Sequence, residues 1–253
     1  MSASTRTFGL LGSGEFLPWS TEVDHRVLQS ARPTLRSDPT VLIVPAASAP
    51  EGDAVFDDWA RRGREHFHGS GILAEVLPLK GRDDALDPSL SERLRHVSLV
   101  YISGGNPAYL SRILAGTAFW RTLVEELDRG LGYIGCSAGV ACLGSRSPDS
   151  AASTPTSPEA WTTGLELFPR TMFGPHWDRL DTYVPGLRDW FVRALPPGHD
   201  LVAIDEETAL VGDGARWEVV GRGGVSIHRS IRETGEPEVH AAGARVDWKP
   251  PAL

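Results

Sequence analysis

The sequence predicts an open, doubly wound α/β fold: a mostly parallel sheet with helices on both faces and an antiparallel edge near the C-terminus. Three observations carry this. Short apolar runs rich in Val, Ile and Leu alternate with segments whose apolar residues recur at helical spacing. The runs are apolar throughout, the pattern of strands covered on both faces. Several of them end in glycine-rich turns, Gly12-Ser13-Gly14, Ser103-Gly104-Gly105-Asn106 and Gly135-Cys136-Ser137-Ala138-Gly139, where the chain must bend into the next segment.

Residues 7–11 form the first run, and Val23, Val27 and Leu28 place a helix over 21–31 behind the first glycine turn. Val41-Leu42-Ile43-Val44 is a continuous run closed by Pro45, after which Val55, Phe56, Trp59, Ala60 and Phe67 fall on one helical face. Residues 74–79 and 98–102 read as two further strands. Leu110, Ile113 and Leu114, then Leu123, Val124 and Leu127, supply helical faces before the next run, 133–136. Residues 145–158 turn to Ser, Thr, Pro, Asp and Ala, a loop composition that suits a lid or a surface excursion equally. After a short strand over 171–174, four short runs at 201–204, 209–211, 217–220 and 225–227 read as antiparallel strands at the sheet edge.

With 253 residues, 41% hydrophobic and 23% charged, the chain has an ordinary globular composition that excludes disorder and collagen-like repeats. One α/β domain over 1–253 is expected, its core at 7–230 and a C-terminal extension at 231–253. A formal charge of −8 argues against nucleic acid as a partner. The densest basic cluster, Arg61, Arg62 and Arg64, shares a predicted helix with Asp57, Asp58 and Glu65 and reads as a solvated face. The two cysteines, Cys136 and Cys142, fit neither a zinc spacing nor a disulfide scaffold and read as buried free thiols. Neither a leader's apolar region nor a membrane-spanning run of about 18 residues is visible, so a cytoplasmic protein with no membrane partner is expected.

Gly135-Cys136-Ser137-Ala138-Gly139 satisfies G-x-S-x-G and lies between a predicted strand and a predicted helix. In that context small flanking residues let a sharp turn present the Ser137 hydroxyl, and the helix N-terminus offers backbone N–H groups. A serine hydroxyl needs a base. Of eight histidines, His25, His66, His68 and His96 fall on or beside polar helix faces and His240 in the polar C-terminal stretch. His176 follows a strand-like run closed by Gly174-Pro175, and strand ends are where parallel sheets keep their sites. An acid must then orient the imidazole. Asp205-Glu206-Glu207 interrupts an otherwise apolar stretch, so at least one of these carboxylates needs a partner. Oxyanion donors come from the Ala138 N–H and from a second glycine-rich strand end, for which Ser103-Gly104-Gly105-Asn106 is well suited.

Taken together, Ser103-Gly104-Gly105-Asn106 followed by Tyr109-Leu110, then Gly-Cys-Ser-Ala-Gly at 135–139, His176, and Ile-Asp-Glu-Glu-Thr-Ala at 204–209 resemble, in order and spacing, the cyanophycinase and dipeptidase E family of serine peptidases. The resemblance implies a class I glutamine amidotransferase-like fold and a Ser-His-Glu triad at Ser137, His176 and Glu206, with Gly105 and Ala138 at the oxyanion hole. It implies cleavage of peptide or isopeptide bonds beside aspartyl residues, without cofactor or metal. By analogy alone, a homodimer is an open option. Around the histidine the chain departs from the family's Asp-Gln-His-Phe, carrying Gly174-Pro175-His176-Trp177, with Arg179 downstream. That change leaves the triad in place and substrate specificity open. Asn106 and Arg179 are the candidate substrate-binding side chains, with an ion pair from Arg179 to Asp178 or Asp181 as the competing role for the arginine.

Three other readings stand beside the hydrolase. An α/β-hydrolase esterase would use a late histidine, His228 or His240. A second reading makes Cys136 the nucleophile in place of Ser137, as cysteine is in amidotransferase-like relatives, although the pattern centres on Ser137. A non-catalytic binding protein that has kept the fold is the third.

Overall fold

The computed structural model describes residues 6–32, 39–230 and 236–252. Its strands in chain order are β1 (Thr7–Leu11), β2 (Thr40–Val44), β3 (Leu73–Val76), β4 (Leu99–Ile102), β5 (Gly132–Cys136), β6 (Arg146–Pro148), β7 (Trp161–Thr163), β8 (Thr171–Gly174), β9 (Asp200–Ile204), β10 (Thr208–Gly212), β11 (Arg216–Gly221), β12 (Gly224–His228), β13 (Glu238–Ala241) and β14 (Arg245–Asp247). The main sheet runs β14-β11-β10-β1-β5-β4-β2-β3. From β1 to β3 every pairing is parallel, whereas β10, β11 and β14 add an antiparallel edge.

The central strands are buried on both faces, and the period-2 alternation of their side chains sorts them into two cores. Leu10, Leu42, Val44, Val100, Ile102 and Tyr133 pack with Leu110, Ile113, Leu114, Leu123 and Leu127 of the helices Pro107–Leu114 and Ala118–Asp128. Leu11, Val41, Ile43, Leu99, Tyr101 and Ile134 pack on the opposite face with Val23, Val27 and Phe67 of the helices Thr21–Ser30 and Asp53–Gly69. Two of these helices are stopped at their N-termini by side chains: Asn106 Oδ1 accepts the Tyr109 N–H at 3.0 Å, with Pro107 at the first helical position, and Thr117 Oγ1 accepts the Trp120 N–H at 3.3 Å.

Two expectations change. The strand read over 74–79 stops at Val76, because β3 is the sheet edge and its one ladder partner among the described residues, β2, ends at Val44. Leu77 and Leu79 are nonetheless fully buried. The four late strands do not share one edge. β10 and β11 join the main sheet, while β9 and β12 leave it for a second sheet of order β13-β12-β9-β8, in which β8 runs parallel to β9. The chain crosses between the sheets at Asp205–Glu207, where Glu207 has φ 49°, and returns through the glycines at 221, 223 and 224. A Cβ on Gly12 would lie 2.1 Å from the Asp205 carbonyl oxygen, so the crossover presses directly on the first glycine turn.

The segment after residue 230 is built into both sheets through β13 and β14. Behind β14, the buried Trp248 indole N–H donates to Asp200 of β9 at 3.0 Å and its carbonyl accepts from Trp217 of β11 at 2.8 Å. Residues 231–235 lie outside the described residues. The loop read over 145–158 begins with β6, which pairs with β7 as a two-stranded ribbon.

Candidate active site

Ser137 follows β5 directly and has φ 49° and ψ −103°, a backbone that L-residues adopt only under constraint. The flanking glycines explain how the turn is accommodated. A Cβ on Gly135 would lie 2.3 Å from the Gly139 carbonyl oxygen, and one on Gly139 the same distance from that of Ile102. The Tyr133 hydroxyl donates to the Gly139 carbonyl at 2.6 Å and ties the turn down. Ser137 Nα–H donates to the Leu11 carbonyl at 3.0 Å, so the turn is an extension of the β1–β5 ladder.

His176 lies in the turn after β8, with φ 55°. The following Trp177 N–H donates to the Ile204 carbonyl at 3.0 Å, which fastens this turn to the end of β9. Glu206 lies two residues beyond Ile204, and its own N–H is held by Asp178 at 2.8 Å. The second sheet therefore brings histidine and acid together through the parallel β8–β9 pair. The result is a continuous chain: Ser137 Oγ to His176 Nε2 at 2.8 Å, and His176 Nδ1 to Glu206 Oε1 at 3.1 Å. The Tyr183 hydroxyl adds a bond to the same oxygen at 2.9 Å. Partial burial would raise the Glu206 carboxyl, but the bonds from His176 and Tyr183, with the charges of His176 and Arg179, hold it below the ordinary glutamate value. Asp205 instead accepts the Gly224 N–H at 2.8 Å, and burial pushes its carboxyl upward. Glu207 pairs with Arg222 at 2.6 Å.

Ala138 opens the helix behind Ser137, so its N–H belongs to the helix N-terminus that intrahelical bonds leave free. Gly105 has φ 138°, and a Cβ there would lie 2.3 Å from the Ala47 backbone; only glycine fits. Its neighbour Gly104 is so close that a Cβ on it would lie 3.6 Å from Ser137 Cβ. The two glycine-rich strand ends thus meet at the serine.

The two candidate substrate-binding side chains, Asn106 and Arg179, are absent from the lining of both cavities beside Ser137. Both functional ends of Asn106 are engaged, Oδ1 as the helix cap and Nδ2 donating to Asp149 at 2.7 Å. Arg179 is exposed and lines neither cavity beside Ser137. Its expected ion-pair partners are occupied elsewhere, Asp178 by the Glu206 N–H and Asp181 by Arg188 at 3.0 Å. What remains to Arg179 is its charge near Glu206.

Cys136 is fully buried and its thiol donates to Glu15 Oε2 at 2.9 Å. The late histidines are also placed elsewhere, His228 on β12 edge-on to Trp177 and His240 on β13. His66, read on a polar helix face, is turned inward, with Nε2 2.6 Å from the buried Asp24. Two residues at the site were not read as such in the sequence. Glu15 Oε1 accepts the Gly104 N–H at 2.8 Å. Arg62, although paired with Asp58 at 2.7 Å as a solvated face would have it, also lies over Trp59 and reaches a cleft of about 360 Å³ that opens on Ser137 and His176. Among the described residues no cluster of three metal-ligating side chains occurs, and no helix is long and apolar enough to cross a membrane.

With the geometry in place, residues 10–220 match the model of peptidase family S51. The chain belongs to peptidase family S51. This member is 28% identical over 200 residues to a cyanophycinase of Synechococcus elongatus, across 75% of this chain and 58% of that protein. It is 33% identical over 103 residues to an uncharacterized peptidase of Listeria monocytogenes, across 40% of this chain and 46% of that protein. The matches thus span about half the length of these curated relatives. A crystal structure of a peptidase from an acI-B1 actinobacterium superposes with a TM-score of 0.82 at 28% identity, covering 96% of this chain and 97% of that one. The fold alone is shared with a putative peptidase E protein from Listeria monocytogenes, with a TM-score of 0.60 at 20% identity over 86% and 98% of the two chains.

Proposed function

We propose that this S51 family member is a serine peptidase that hydrolyses amide bonds in short peptides or isopeptides through an acyl-enzyme. The hydrogen-bonded chain Ser137–His176–Glu206 carries the reading. Ser137 Oγ attacks the amide carbonyl while His176 Nε2 takes its proton, and the same nitrogen then delivers that proton to the departing amine. Glu206 holds the imidazole with Nδ1 protonated and stabilises the imidazolium as it forms. The N–H groups of Gly105 and Ala138 receive the oxyanion of the tetrahedral intermediate. Water, activated by His176 in turn, releases the acid and restores Ser137. These steps draw on no metal or cofactor.

Family resemblance makes aspartyl amides the first substrates to screen. The test of the reading itself is independent of substrate. A fluorophosphonate probe should label wild-type protein at Ser137 and leave Ser137→Ala unlabelled, with both folded by circular dichroism. Hydrolysis that persists undiminished in Ser137→Ala would overturn the assignment.

A further inference from the structure

Beside Ser137 and His176, adjoining the Arg62 cleft, a cavity of about 410 Å³ opens between the 145–158 loop and the helices that follow His176. We propose that this cavity receives an apolar or aromatic side chain of the residue flanking the scissile amide, so that the preferred substrates are short apolar peptides and not aspartyl ones. The inference rests on the hydrolase reading above.

The wall comes first. It is built from Pro148, Pro155, Trp161, Leu180, Leu187 and Phe191, and its size lies in the range of small-molecule sites. Trp161 meets Phe191 edge to face at 4.9 Å and Trp190 at 5.1 Å, so the aromatic surface is held in place before any ligand arrives. An apolar side chain entering such a preformed pocket gains its transfer free energy without a cost for ordering the wall.

Charge points the same way. Among the described residues Asp149 is the one carboxylate in the wall, and no Lys or Arg lines it. Asp149 is already satisfied: it accepts from Asn106 at 2.7 Å and from the Ala151 N–H at 3.0 Å, and Arg112 stands 3.6 Å away behind it. Burial favours protonating it, but these partners hold its carboxyl below the ordinary aspartate value. A substrate carboxylate entering here would shed its water, find no Lys or Arg among the described lining residues and face the Asp149 carboxylate. The cation that does reach the site, Arg62, lines the adjoining cleft, which shares Gly105, Ser137 and His176 with this cavity, and it is paired with Asp58.

The experiment compares kcat/KM for Leu-Ala, Phe-Ala and Asp-Ala, and for the reversed dipeptides Ala-Leu, Ala-Phe and Ala-Asp, with fluorophosphonate labelling of Ser137 run in parallel. In at least one of the two orders, Leu and Phe are expected to exceed Asp by about tenfold or more. Val184→Arg, which puts a cation into the half-buried part of the wall, should narrow or reverse that ratio. Equal or better turnover of the aspartyl dipeptides by labelled-competent enzyme would overturn the inference and leave the hydrolase reading standing. Where the probe attaches but no dipeptide is cleaved, protection of Ser137 from the probe decides: stronger protection by Leu-Ala than by Asp-Ala supports the inference, and equal protection or none overturns it. If neither labelling nor hydrolysis occurs, the hydrolase reading fails and takes this inference with it.

Discussion

Glu15 is hydrogen-bonded to the Gly104 N–H at 2.8 Å across 89 residues of sequence, and the bond is buried. Its other carboxylate oxygen takes the Cys136 thiol at 2.9 Å. One side chain therefore joins the three glycine-rich strand ends, and it fixes the loop that carries Gly105 against the turn that carries Ser137. Glu15 is thus a positioning residue. Glu15→Ala strands a buried N–H, which costs about 1–3 kcal/mol of stability, and lets the Gly105 amide drift. An ångström of misplacement is worth up to about 100-fold in kcat, with KM little changed. Glu15→Gln keeps an acceptor for Gly104 and should stay near wild type in kcat. Equal kcat in the alanine and glutamine variants would contradict the positioning role.

The Tyr183 hydroxyl bond to Glu206 makes a prediction about pH. Because the folded Glu206 carboxyl titrates below its ordinary value of 4.5, its stabilising contribution is complete above that value and is lost as pH falls through the lower folded one. Tyr183→Phe removes one of the bonds that lowers it. The folded value then rises toward the unfolded one, and the variant is less stable than wild type at pH 7 by at most about 1 kcal/mol, given the exposure of the pair. That difference should shrink as pH drops from 5 toward 3. Urea unfolding of both proteins across this range measures it, and a gap that widens on acidification would reverse the sign argued here.

Much of this was legible in the chain because the signals are local. The strand-to-helix switch around Gly135-Cys136-Ser137-Ala138-Gly139 and the strand end before His176 are each contained in a few residues, and the parallel core follows from apolar runs buried on both faces. The division into two sheets was not legible. Residues 201–204 and 209–211 are alike in composition, and the short acidic spacer between them reads as a hairpin although it is a crossover. Glu15 and Arg62 were hidden for a related reason. Nothing in the neighbourhood of Glu15 foretells a partner 89 residues away, and the i,i+4 pairing of Arg62 with Asp58 accounts for both charges without the cleft. Arg179 shows the converse, a cation close in sequence to the histidine that lines neither cavity beside Ser137.

Both thiols should be silent in the folded protein. Cys136 and Cys142 are fully buried, and burial pushes each thiol well above its ordinary value, helped at Cys136 by the Glu15 carboxylate. A disulfide-exchange reagent should find no fast-reacting thiol in the native state and two after denaturation in guanidinium. Iodoacetamide treatment of native protein should leave hydrolysis unchanged. Inactivation that tracks with alkylation of Cys136 would instead revive the cysteine as nucleophile.

Close packing at the elbow predicts an asymmetry between two glycines. Gly139→Ala brings a methyl to 2.3 Å from the Ile102 carbonyl oxygen, a backbone atom of a central strand that has no room to retreat. Overpacking of this kind costs about 1–3 kcal/mol, and any shift of the turn moves Ser137 off its 2.8 Å contact with His176. Gly69 ends the helix Asp53–Gly69 with nothing within 4 Å of a Cβ built on it. Gly69→Ala should therefore be neutral or stabilising by up to about 1 kcal/mol through helix propensity, with kcat unchanged. Chemical denaturation and steady-state rates for the two variants test both statements together, and a Gly139→Ala protein with wild-type stability and rate would show that the elbow is less constrained than its geometry implies.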